Sequence, residues 1–168
     1  MQYRISKHHP LFSKYVDEWA ALTDVGDERY NLTVEEYLNY ENLYIQTVVD
    51  LLMLDKCEQL RISNFEKTIK WDSILSERYN LDKSVFELYK KDYQGKVYKE
   101  LYSGKCFFNC SDFSTLLKIL LREEAWFVIS VDDYKIDVGY DYYIHIDTPR
   151  NLMKKINLLP DGVYLEKL

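Results

Sequence analysis

Polar and apolar residues alternate with a period of two over residues 2–6, which predicts a short first strand. After Pro10 the period lengthens. Leu11, Tyr15, Trp19 and Leu22 fall on one face of a short helix, and the acidic, turn-rich stretch 23–31 reads as a loop. Thr33 opens the clearest helix. Thr33-Val34-Glu35-Glu36 is a capping box, in which the threonine oxygen accepts the N3 amide and Glu36 reaches back. Val34, Tyr37, Leu38, Ile45, Val48, Val49 and Leu52 then recur at helical spacing to about Leu54. Residues 58–66 alternate again and predict a strand; residues 71–79 and 83–91 predict two short helices. Gly95 and Gly104 bracket residues 96–102, whose pattern fits a helix or a strand equally.

The second half repeats this logic. Ser111 stands where an N-cap belongs, and Phe113, Leu116, Leu117, Leu120 and Leu121 complete a helical stripe. Trp126–Val131 is rich in β-branched and aromatic residues and reads as a strand. Lys135–Val138 and Asp141–Asp147 predict two more strands, with Asp132-Asp133 and Gly139 as turns. Thr148-Pro149 matches an N-cap followed by proline at N1, opening a helix through Ile156. Pro160-Asp161-Gly162 then forms a turn before a closing strand over 163–168. The whole predicts one α+β domain over residues 1–168, an antiparallel sheet with helices packed mainly on one face.

Composition supports a folded chain. At 168 residues, 47% hydrophobic and 30% charged, it can bury roughly 70% of its unfolded surface without metal or disulfide staples. Five glycines and three prolines leave no evident linker. The three cysteines are an odd, sparse set. Cys106 and Cys110 are spaced C-x3-C with no second Cys/His pair nearby, so buried free thiols are expected, with no cofactor. The first dozen residues hold no apolar run of signal-peptide length, and no stretch reaches the roughly 18 apolar residues of a membrane span. A cytoplasmic location without membrane contact is the expectation.

A net charge of −6 and a pI near 5.1 disfavour nucleic acid as a partner, because phosphate binding needs clustered Lys and Arg. Sixteen tyrosines are the unusual feature; tyrosine lines core rims and is also enriched at interfaces. No nucleophile elbow, phosphate loop or dinucleotide fingerprint is present. His8 and His9 are adjacent and point apart on an extended chain, which argues against a shared metal.

The chemistry-bearing cluster is Asp132, Asp133, Asp137, Asp141 and Asp147, with His145. Strand alternation turns Ile136, Val138, Tyr142, Ile144 and Ile146 inward, and Lys135, Asp137, Asp141, Tyr143, His145 and Asp147 outward. Three readings follow: a solvated strand face, an acidic and aromatic surface for a basic partner, or a Mg²⁺-dependent phosphoesterase site built on the carboxylates. A homodimer or adaptor subunit would use a tyrosine-rich surface equally well.

The segment Val138-Gly139-Tyr140-Asp141-Tyr142-Tyr143-Ile144, after an aromatic strand, resembles small bacterial immunity proteins of contact-dependent growth inhibition and related toxin systems. That resemblance implies a small acidic α+β inhibitor, not an enzyme, that occludes a cognate toxin. The expected function is therefore inhibition of a basic protein, a toxin nuclease domain. Asp132, Asp133, Asp137, Asp141, Tyr143 and His145 are the expected contact residues.

Overall fold

A computed structural model describes residues 1–7, 22–26, 28, 32–54, 57–68, 83–139 and 143–168. The helices predicted after Pro10 and over 71–79 lie outside these residues, as does Asp141. In chain order the elements are β1 (Gln2–Ser6), α1 (Val34–Leu52), β2 (Gln59–Lys67), α2 (Lys83–Gln94), α3 (Lys96–Tyr102), β3 (Phe107–Asn109) and α4 (Phe113–Leu121). The series closes with β4 (Ala125–Val131), β5 (Tyr134–Val138), β6 (Ile144–Asp147), a 3-10 helix at Leu152–Leu158 and β7 (Tyr164–Lys167). The strands form one antiparallel sheet in the order β3-β2-β4-β5-β6-β1-β7. The fold is α+β, as the periodicities predict.

Period-two alternation puts one apolar row on the inner face. Leu60, Ile62, Phe127, Ile129, Ile136, Ile144, Ile146, Tyr3 and Ile5 are all buried there. They join one core cluster with Tyr44, Val48 and Leu51 of α1 and Leu116, Leu117 and Leu120 of α4. The outer face carries Arg4, Arg61, Lys135, Asp137, His145, Asp147 and Glu166, each partly or fully exposed. The structure thus bears out the inward and outward assignments for every described residue of β5 and β6.

The Thr33 capping box is formed: the Glu36 amide donates to Thr33 Oγ1 at 3.2 Å, and the Thr33 amide donates to Glu36 Oε2 at 2.9 Å. Helix α1 ends at Met53, which takes a left-handed backbone at φ 54°. Thr33→Ala removes the acceptor for one orphan helix amide and is expected to cost about 1 kcal/mol. A urea titration reads this as a lower midpoint at unchanged slope. A shift indistinguishable from zero would mean that the cap contributes nothing to the folded state.

One reading left open by the sequence is decided, and two expected helix caps are corrected. Residues 96–102 are helical, since Tyr98 and Leu101 sit three apart and bury together. Ser111 does not cap α4. A 3-10 turn at Cys110–Asp112 precedes that helix, and the Asp112 carboxylate accepts from the Asn109 amide at 3.2 Å. Thr148 does not open the last helix. Its hydroxyl accepts from the Arg150 amide, and Asn151 caps the Leu152–Leu158 turns by accepting from the Met153 amide.

Cys57 and Cys110 are joined in a disulfide with Cα atoms 5.9 Å apart; they are not free thiols. The reason is β3, a strand too short to show in the sequence pattern. Pairing of Gln59 with Asn109 brings the flanking cysteines together. Cys106 remains free and exposed. Among the described residues, no helix is long and apolar enough to cross a membrane.

Candidate partner-binding face

The expected contact residues spread along one end and the middle of the outer sheet face. Asp132 and Asp133 form the β4–β5 turn, where Asp132 takes a left-handed backbone that aspartate tolerates. Asp137 lies mid-strand on β5 and His145 opposite it on β6, with Asp137 Oδ1 3.1 Å from His145 Nδ1. Gly139 makes room for that imidazole: a Cβ there would lie 3.0 Å from His145 Cε1. Tyr143 is half-buried and stacks under Arg4, whose guanidinium carbon lies 4.5 Å from the ring centroid. Asp137, His145 and Tyr143 are therefore brought together; Asp132 and Asp133 stand apart at the turn.

Strand register extends this into rows. Asp137 pairs laterally with His145, His145 with Arg4, and Arg4 with Glu166. The next row runs Arg61, Ser130, Lys135, Asp147 and Gln2. Each row carries charges of both signs, so the face is more neutralised than the acidic, aromatic surface with Lys135 interspersed that the sequence predicts. Arg4 contacts Glu166, the N-terminal ammonium lies 3.7 Å from Asp147, and Arg150 reaches Asp133 at 2.9 Å. The hydrogen bond to Asp133 also holds the Arg150 guanidinium above its ordinary pKa.

Three shallow, open depressions punctuate the face. One of about 340 Å³ includes Asp132, Asp133, Lys135 and Asp147. A second, of about 240 Å³, includes Asp137, His145 and Asp147. The third, of about 280 Å³, includes Glu66, Trp126, Val128 and Asp137. Asp147 is shared by the first two and Asp137 by the last two, so the series is continuous. Each lies at or below the lower end of small-molecule pockets, roughly 300–1,000 Å³, and suits single side chains of a partner. Among the described residues no three His, Cys, Asp or Glu side chains converge to hold a metal ion.

Sequence reasoning missed a second cluster, buried on the other side of the sheet. Arg122, 4% exposed, donates from Nε and Nη2 to both oxygens of Glu41 at 2.6 and 2.7 Å, and from Nη1 to Asp92. Burial opposes its charge, but Glu41 and Asp92 more than offset that and hold the guanidinium above its ordinary pKa. Beside it Glu124, 1% exposed, has no hydrogen-bond donor for either carboxylate oxygen. Burial, reinforced by the Asp92 charge, pushes the Glu124 carboxyl up to about 9. A signal was available: Glu41 interrupts the apolar stripe formed by Tyr37, Tyr44, Ile45 and Val48, and a charge on such a stripe needs a buried partner.

No family model, curated protein or solved structure that was compared with the chain matches it.

Proposed function

We propose that the chain is a binding protein without catalytic activity that docks a basic protein on the outer face of its sheet, as an immunity-type inhibitor occluding a toxin nuclease. The observation that carries this reading is the run of side-chain-sized depressions linked through Asp137 and Asp147. A rigid seven-stranded sheet holds these carboxylates at fixed spacing, and a preorganised surface loses little entropy on binding. Asp132 and Asp137 offer acceptors to Lys or Arg of the partner. Tyr143 and Trp126 add aromatic area at their edge. Acidic groups on the contact face, together with the net charge of −6, speed encounter with a basic partner. A cytoplasmic location is part of this reading, and the Cys57–Cys110 bridge would be an uncommon feature there.

Replacing Asp132 and Asp137 with lysine reverses two charges whose side chains are exposed or half-exposed. The double variant should lose only about 2–4 °C of melting temperature, most of it at Asp132, where lysine fits the left-handed backbone less well than aspartate. The test is capture from a lysate of the source organism by the wild type and by the variant at matched concentration and low salt. Stoichiometric retention of a basic nuclease by the wild type, falling at least tenfold with the variant, supports the reading. Equal retention by both proteins, or retention of acidic proteins only, would remove this face from the interface. A rise in melting temperature with added Mg²⁺ would instead favour the phosphoesterase reading.

A further inference from the structure

The two edges of the sheet differ. β3, at one end, is three residues long, which leaves little ladder for another chain to join. β7, at the other end, carries no proline and no register shift, and among the described residues no strand pairs with its far side. The ladder with β1 decides which groups face outward there. The Leu168 amide donates to the Gln2 carbonyl, so Gln2, Arg4 and Ser6 are the residues that exchange hydrogen bonds with Leu168, Glu166 and Tyr164. Leu165 and Lys167 alternate with these, and their amides and carbonyls point away from the sheet. Beside them the 3-10 helix at Leu152–Leu158 lies against α1 and β7 and leaves Ile156 and Leu158 44% and 59% exposed. An unbulged ladder next to exposed aliphatic side chains is the surface that strand addition uses.

We propose that this edge is the contact between two copies of the chain, β7 pairing antiparallel with β7 of the second copy about a two-fold axis at Leu165. Side-chain parity restricts the register, because the inner faces of both sheets must lie on one side. Only a two-fold centred on a residue meets that condition. Centring on Glu166 sets two carboxylates opposite each other, which is destabilising. Centring on Tyr164 asks for the Val163 amide, which already donates to the Pro160 carbonyl at 3.2 Å. Centring on Leu165 meets neither obstacle.

In that register Leu165 exchanges reciprocal hydrogen bonds with Leu165 of the second copy, and each Lys167 amide reaches the Val163 carbonyl opposite. Tyr164 faces Glu166 on the outer side. Lys167 is exposed on the inner side, and the exposed Asp161 stands two residues before Val163, so the two meet diagonally across the axis. Opposite charges therefore come together twice in one symmetric contact, and this self-complementarity is what selects a second copy as the occupant. A two-fold closes at a dimer, with the two sheets joined edge to edge. The outer face stays accessible, so the dimer is independent of the docking proposed for that face.

Sedimentation velocity of the full chain from about 2 to 200 µM tests this, in a Cys106→Ser background so that the exposed thiol cannot cross-link two chains. A monomer–dimer equilibrium with no larger species is expected. Lys167→Pro removes one outward donor per chain while the bonds to β1 stay in place, and it should weaken dimerisation about tenfold or more. Lys167→Glu sets like charges together across the axis and should weaken it as well. Adding Asp161→Lys to that variant should bring the dissociation constant back to within about twofold of the parent, a rescue that a misfolded chain cannot show. The dimer is overturned by a monomer at every concentration, by species larger than a dimer, or by a dissociation constant unchanged in Lys167→Pro and Lys167→Glu. A loss in Lys167→Glu that Asp161→Lys leaves uncorrected overturns the Leu165 register.

Discussion

Arg122→Ala should lower stability by about 3–5 kcal/mol, the usual cost of removing one partner from a buried ion pair. The substitution deletes three hydrogen bonds in one step and leaves Glu41, which is 3% exposed, without its counter-charge. The loss is electrostatic rather than volumetric. Replacing Arg122 with Met and Glu41 with Leu together removes both charges, fills similar space and should recover most of the stability. Urea denaturation of Arg122→Met, Glu41→Leu and the double variant forms a cycle whose coupling energy isolates the pair. A loss below about 1 kcal/mol for Arg122→Ala would show that water reaches the site and solvates the orphaned carboxylates.

Opening the Cys57–Cys110 bridge is the other large effect. The two cysteines are separated by 53 positions, and chain-entropy arithmetic for a loop of that length gives about 4 kcal/mol lost on reduction. Cys57→Ser combined with Cys110→Ser should reproduce the loss, while Cys106→Ser, at an exposed free thiol, should leave stability within about 0.5 kcal/mol of the parent. Denaturation with and without a dithiol reductant reads both effects. Identical midpoints in the two conditions would mean that the reduced chain keeps the same loop closed by packing alone.

What could be read from the sequence, and what could not, divides along physical lines. Elements with a strong private signal stand where periodicity predicts them. The Thr33 box starts α1, the alternation of 126–138 makes β4 and β5, and the Pro160–Gly162 turn precedes β7. Long-range features are where single-sequence reasoning fails. β3 has three residues, too few for a period, and exists because β2 offers it a hydrogen-bonded edge. The disulfide depends on that pairing. The end of α4 carries no glycine; Glu123 occupies the left-handed position instead, so the turn that builds the buried cluster is silent in the sequence.

The outward set Lys135, Asp137, His145 and Asp147 was legible because alternation decides it. Its electrostatic character was not, because the neutralising groups come from distant parts of the chain. Arg4 and Glu166 enter the same lateral row from β1 and β7, and Arg150 reaches back across the turn to Asp133. Counting aspartates along one segment overstates the acidity that a partner would meet.

The strand order also governs how the chain reaches this state. β1 lies between β6 and β7, so its pairs Tyr3–Ile146 and Arg4–Glu166 close loops of more than 140 residues. The β4–β5 hairpin needs only the two-residue turn at Asp132-Asp133. Loop closure favours the local hairpin, with β6 joining it before β1 can dock. During synthesis β1 stays unpaired until β6 has left the ribosome, and loop-closure cost favours assembly of the sheet from its middle outward. Weakening β1 pairing should therefore speed unfolding far more than it slows folding, the behaviour of a strand that docks after the rate-limiting step.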